Sequence, residues 1–305
     1  MFQKIIRGCV NFMQRYLPEP FIFAIILTFV AIAVAMPVCH QSIVEVVANW
    51  GGGVWNLLGF SMQMALILVT GATLAAAPAI KRGISRLAAM PKTPAGAIAL
   101  VTGISAVACW LNWGFGLIVG VIFAKEIAKK LRGVDYRLLI ASAYSGFVVW
   151  HAGISGSIPL KMASDLDDLV KATNGVVTET LPISNTILDP HNIIMVAIVI
   201  MALVIVNAMM HPKEGIIAID PSLLKEDEVA DNVKPSTPAE RLEHSKVLSV
   251  ILAVLGFTYL IVSLFIKGGS FDIGAVILLF LFLGVILYKT PIAYVRAFTK
   301  SVGGA

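Results

Sequence analysis

Lys, Arg, Asp and Glu are absent from seven stretches of the chain: 20–39, 46–80, 93–124, 138–160, 190–210, 247–266 and 273–288. Each is apolar almost throughout, and the charged residues gather in the segments between them. A helix needs about 20 apolar residues to cross a bilayer core about 30 Å thick. Five of the stretches have that length, counting 46–80 as one span with an interfacial lead-in, and each predicts one transmembrane helix. The stretch 273–288 is short but crosses with snorkelling flanks or a thinned bilayer. The pattern therefore predicts an all-α polytopic membrane protein with about six transmembrane helices. The stretch 93–124 stands apart: its 32 residues are long for one crossing and short of the roughly 40 that two would need.

Composition and charge sharpen this picture. Hydrophobic residues make up 58% of the 305 and charged residues 13%, against roughly 25% charged in soluble domains. That excludes an ordinary cytosolic enzyme, a secreted disulfide scaffold and a disordered chain. The net charge of +5, in a chain this apolar, marks cytoplasmic loops rather than a nucleic-acid surface. If 93–124 crosses once, 10 Lys and Arg fall inside and 13 outside, which has the wrong sign. If it enters and returns on the same side, 20 fall inside and 3 outside. The second count predicts a re-entrant hairpin entering from the cytoplasm, with the N-terminus cytoplasmic. Each arm would reach about 20–24 Å at roughly 1.5 Å per residue, so the tip lies within the membrane. The competing reading is one long tilted helix with a glycine packing notch. The basic N-terminus ahead of Ala31, Ala33 and Ala35 has the look of a cleavable signal, but with so many spans following it is read as an uncleaved first span.

The midpoint of 93–124 falls near Ala108–Cys109, beside Trp110-Leu111-Asn112-Trp113-Gly114-Phe115-Gly116. Gly114 and Gly116 permit a helix break and close approach, and Asn112 can satisfy the backbone groups that a break frees. Non-helical backbone at membrane depth survives only inside protein or beside water. Broken helices near the midplane are the best sequence pointer to a transporter's binding site. A second interruption is predicted within 138–160, where Gly153, Gly156 and Pro159 oppose a regular helix and Ser155 and Ser157 add hydroxyls. A Gly/Ser packing face is the plainer account of that segment. Gln63 and Thr70, seven residues apart, share a helix face that looks onto the hairpin or glues helices together. The candidate substrate-binding residues are thus Gln63, Asn112, Trp113, Gly114, Phe115, Gly116, Gly153, Ser155, Gly156 and Ser157. His151 is the one titratable side chain deep in an apolar stretch; the bland account is a neutral imidazole on a carbonyl.

The apolar stretches offer no carboxylate relay, HExxH or phosphate-binding loop, and Cys9, Cys39 and Cys109 lack ligand-like spacing. No catalytic role, metal or cofactor is expected beyond a coupling Na+ or H+, which the residues leave open. The segment 211–246 holds 8 acidic and 5 basic residues with four prolines. It reads as a cytoplasmic linker dividing an N-terminal membrane bundle, 1–210, from a second membrane segment, 247–305.

Several blocks in order, QMALILVTG (63–71), VACWLNWGFGLIVG (107–120), FAKEIAKK (123–130), ISGSIPL (154–160) and IDPSLL (219–224), resemble the bacterial short-chain fatty acid transporter family of the acetoacetate/butyrate permease type. The likeness runs from YLPEPFIFAIILT to KTPIAYVRAFTK. It implies an inner-membrane symport-type permease for small monocarboxylates. It also implies the first part of an inverted-repeat ion-transporter-type fold, in which each repeat carries a re-entrant hairpin. Family members continue into a second repeat, so the resemblance implies a missing C-terminal half or a second copy as partner. If the site needs both repeats, these residues alone insert without transporting. Asn112, Gly114, Gly116, Ser155, Gly156 and Ser157 match the family's motifs, whereas relatives tend to have glycine at the position of His151. The expected partners are a short-chain monocarboxylate and the lipid bilayer, with no nucleic acid. The alternative to a secondary carrier is a passive channel or a non-transporting membrane subunit.

Overall fold

The computed structural model describes residues 2–16, 18–164, 166–212, 214–224 and 236–303. Residues 225–235, the middle of the expected linker, lie outside that set. Among the described residues every regular element is helical, and six helical segments are long and apolar enough to cross a membrane: Phe21–Cys39, Leu58–Ala75, Pro94–Leu111, Tyr136–Met162, Pro190–Met209 and Lys246–Ile266. Ile273–Tyr288 is a shorter apolar helix. The chain is an all-α polytopic membrane protein.

The chain forms two compact units, Met1–Phe60 and Ser61–Ala305. The first holds α1 (Phe2–Tyr16), α2 (Pro20–Cys39) and α3 (Ile43–Asn56). In α2, Phe21, Leu27, Phe29 and Val38 are all exposed, as a lipid-facing helix requires. A capping box between Ser42 and Glu45 starts α3. Helix α4 (Leu58–Ala75) runs from the first unit into the second.

The second unit continues with α5 (Pro78–Leu87), α6 (Pro94–Leu111), α7 (Trp113–Lys130), α8 (Tyr136–Ser145), α9 (Ser157–Met162), α10 (Leu166–Ala172) and α11 (Pro190–Met209). It ends with α12 (Pro238–Glu243), α13 (Lys246–Ile261), α14 (Ile273–Tyr288) and α15 (Pro291–Val302). Polar residues placed just ahead of the apolar runs start these helices by accepting their free N–H groups. Thr93 caps α6, Asp135 α8, Asp189 α11, Ser245 α13 and Asp272 α14.

The core sits where α6 and α7 pack against each other and against α8, with Ile98, Val101, Phe123, Ile127 and Leu139 fully buried. Helices α6 and α7 are antiparallel: Gly116 lies on Cys109, and Gly120 lies on Ser105 and the Ala143 carbonyl. The chain thus folds back on itself at Asn112, and the start of α6 and the end of α7 share one end of the unit. There the Lys130 ammonium reaches the carbonyl of Ser85 and, at 2.8 Å, its hydroxyl, which ties α7 to α5.

A second tie at the same end of α7 is Asp135. Its carboxylate accepts the N–H of Leu138 and that of Ile217, both at 3.0 Å, while its own N–H donates to His211 Nε2 at 3.2 Å. Burial pushes its carboxyl up, but the Ile217 and Leu138 N–H groups and Arg137 outweigh that and hold the pKa below its ordinary 3.8. A depressed folded pKa means stability that is present above about pH 4 and lost as pH falls through the folded value. Asp135→Ala is therefore expected to lower unfolding stability at neutral pH by about 2 kcal/mol, for the lost cap and the second N–H left bare. The gap to wild type should narrow below about pH 4. Thermal unfolding of the purified protein at both pH values checks this; equal stability at neutral pH contradicts it.

Candidate functional site

A single residue joins the two central helices. Asn112 has extended backbone, φ −156° and ψ 122°. Its N–H donates to the Ala108 carbonyl at 2.9 Å, which closes α6. Its Oδ1 accepts the Phe115 N–H at 2.9 Å, which opens α7. The amide is fully buried, yet its Nδ2 has no partner. A buried donor left unmade costs about 1–3 kcal/mol, so this nitrogen is primed for an acceptor. Helix α4 closes on the tip from one side. A Cβ on Gly114 would come within 2.7 Å of Leu68 Cα, so the α4 backbone fits only against glycine there.

The second interruption lies on the tip's other side. Helix α8 ends at Ser145, a 3-10 turn carries Gly146–Ala152, and an unwound stretch leads into α9 at Ser157. Three hydrogen bonds join this segment to the tip: Ile154 N–H to the Trp110 carbonyl at 2.7 Å, Trp113 N–H to Ser155 Oγ at 2.9 Å, and Trp110 Nε1 to the Ala152 carbonyl at 3.0 Å. Asn192, in the first turn of α11, donates to the same Ala152 carbonyl at 3.0 Å and to that of Ile187 at 2.8 Å. Gly153 lies flat on the Trp110 backbone, where a side chain would clash. The two interruptions, far apart in sequence, are one junction in space.

Beside the junction stands an aromatic wall. The Trp113 ring lies 6.1 Å from Phe147 and 5.9 Å from Trp150, and those two stack at 5.2 Å with planes 5° apart. Trp113 Nε1 is buried without a partner. The junction therefore carries an unfilled amide N–H at Asn112, whose side chain lies against Gly71 of α4, an unfilled indole N–H at Trp113 on the aromatic side, and the positive N-terminal end of α7.

Asn112, Trp113, Gly114, Gly153 and Ser155 thus meet. Gly116 lies between α7 and α6, on Cys109, while Gly156 and Ser157 start α9, Ser157 being buried. Gln63 sits on α4 one turn before Ile67, with its Oε1 buried and unpartnered. Thr70 bonds the Leu66 carbonyl of its own helix at 2.6 Å. Phe115 points elsewhere, edge-on to Phe280 of α14 at 5.9 Å. His151 is exposed, its ring against that of Trp150. Sequence reasoning missed Asn192, Phe147 and Trp150. The first carries the same signal as Gln63, an amide in an uncharged apolar run; the two aromatics carry none.

A family model described as "Short chain fatty acid transporter" matches residues 1–305. The chain is 40% identical over 312 residues to a Haemophilus influenzae protein named "Putative short-chain fatty acid transporter", across all of this chain and 70% of that relative. It is 40% identical over 304 residues to an Escherichia coli K12 protein of the same name, across 99% of this chain and 68% of the relative. No solved structure matches. By its match to the family model from end to end and its likeness to these two relatives, the chain belongs to the short-chain fatty acid transporter family.

Proposed function

We propose that the chain is a secondary carrier that moves short-chain monocarboxylates, such as acetoacetate or butyrate, across the bacterial cytoplasmic membrane. The observation that carries this reading is the pair of buried, unpartnered donors, Asn112 Nδ2 and Trp113 Nε1, where two helix breaks meet. Helix breaks at membrane depth need protein or water around them and mark transporter sites. The carboxylate takes N–H donors at the hairpin tip, and the acyl chain lies along Trp113, Phe147 and Trp150. In this reading Gln63 and Ser157 border the site from α4 and α9. The uncharged spans favour coupling to Na+ held on carbonyl and hydroxyl oxygens over a carboxylate proton relay. Labelled butyrate should bind the purified chain saturably and be displaced by acetoacetate. Flux into proteoliposomes that rises in proportion to concentration, with no competition between acids, points to the channel instead and overturns the carrier.

The proposed topology is a hairpin entering from the cytoplasm, with the N-terminus on that side. Cysteines introduced as Arg86→Cys and Lys129→Cys should both react with an impermeant maleimide only from the cytoplasmic side. Labelling of position 129 from the opposite side contradicts the hairpin.

A further inference from the structure

A cavity in the second unit runs along α6 and ends at Leu111 and Phe115, beside the junction. It is a groove of about 810 Å³ lined by apolar residues alone, from α5, α6, α7 and α11. Its lining reaches from Gly96 to Leu111 along α6, about 22 Å at roughly 1.5 Å per residue. No polar side chain lines it, so it offers a carboxylate no side-chain partner.

Two glycines show that the groove is kept open. Gly83 and Gly103 lie inside helices and line it. A Cβ on Gly83 would meet nothing within 4 Å, and one on Gly103 only Val204 Cγ2 at 3.6 Å. Glycine in a helix interior is unfavourable relative to alanine, and the protein's own packing does not demand it at either place. Gly114, pressed on the α4 backbone, is the contrast. The room left by Gly83 and Gly103 serves something other than this packing.

Charge names the occupant. Arg82 and Arg86 on α5, and Lys92 just ahead of α6, are exposed and flank the residues lining one end of the groove. No Asp or Glu occurs from residue 79 to residue 111, and Glu126 of α7, which reaches Ser85, is itself paired with Lys129 and Lys130. An apolar channel longer than one leaflet's depth, about 15 Å, with cations at its mouth fits an acyl chain under an anionic head group. We propose that this groove binds one anionic phospholipid of the surrounding bilayer, with an acyl chain laid along α6 and the phosphate among Arg82, Arg86 and Lys92. Ala108, Leu111 and Phe115 line the groove as well, so the bound chain reaches the hairpin beside its tip and braces it.

The test is lipid retention by the purified full chain in detergent, read by native mass spectrometry after incubation with phosphatidylglycerol or phosphatidylcholine. Wild type should retain phosphatidylglycerol preferentially. Arg82→Gln with Arg86→Gln should weaken that retention roughly 25-fold, about fivefold per cation, and leave phosphatidylcholine unaffected. Gly103→Leu, which fills the groove, should abolish retention of both. Gly83→Leu fills it from α5 and serves if the first variant fails to fold. Equal retention of the two lipids by wild type overturns the proposal, as does undiminished retention in the folded filling variants. So does protection of the groove by a second copy, seen as dimers cross-linked through Leu100→Cys.

Discussion

Replacing Gly114 with valine is expected to weaken butyrate binding about 100-fold while the protein still inserts. The reason is geometric: even a Cβ at this position would come within 2.7 Å of Leu68 Cα and 3.0 Å of the Leu68 carbonyl. Both are backbone atoms of α4, which cannot swing aside as a side-chain tip does. Forcing extra atoms into packed sites costs about 1–3 kcal/mol, and a rigid backbone neighbour puts this case at the upper end. If α4 or the tip shifts to make room, Asn112 and Trp113 move with it, because Gly114 is in the same turn as both. A loss of about 100-fold in affinity follows from a displacement worth about 3 kcal/mol. The control is Gly51→Val, where an added Cβ would meet nothing within 4 Å. Equilibrium binding of labelled butyrate checks the pair; equal affinities for Gly114→Val and wild type would show that the tip tolerates the shift.

Asn112→Leu should act through chemistry more than packing. The change removes the acceptor for the Phe115 N–H, a cap worth about 1 kcal/mol. It also removes the unpartnered Nδ2 proposed to meet the carboxylate. A hydrogen bond to a charged group contributes about 1.5–3 kcal/mol, so affinity should fall roughly 10- to 150-fold. Asn112→Asp keeps an acceptor for the Phe115 N–H but removes the amide donor and places a carboxylate in a fully buried position. The aspartate variant should thus unfold below the wild-type temperature at neutral pH and, as an anion, bind butyrate at least as poorly as the leucine variant. If both variants bind normally, Asn112 is a packing residue.

The sequence revealed Asn112 because contrast made it visible. An amide with two nearby glycines, inside an uncharged stretch of awkward length, pointed to a break, and the Lys and Arg counts favoured a chain folding back there over one long tilted helix. The antiparallel packing of Gly116 on Cys109 and Gly120 on Ser105 is the geometry that such folding back requires. Gly153 was visible for the same reason, and the chain is unwound there; Pro159 instead lies in the first turn of α9, where a missing N–H is tolerated. The meeting of the two breaks was not legible, since it depends on hydrogen bonds between residues far apart in the chain. Phe147 and Trp150 were hidden because an aromatic in an apolar span has no contrast with its neighbours. Trp110, Trp113 and Phe115 lie within six residues of one another. Helical rotation of about 100° per residue and the break between them send Trp110 to the Ala152 carbonyl, Trp113 to the aromatic wall and Phe115 to Phe280.

The claim at the centre is that the hairpin tip and the unwound segment together form the substrate site. Photolabelling of the purified chain with a diazirine-bearing short-chain carboxylate, mapped by peptide mass spectrometry, addresses it without relying on transport. The predicted result is adducts confined to the peptides carrying residues 110–115 and 147–157, suppressed by excess butyrate and absent in Asn112→Leu. Butyrate-sensitive adducts in the α5 and α6 groove, around residues 80–87 and 99–104, with none at the tip, would contradict it.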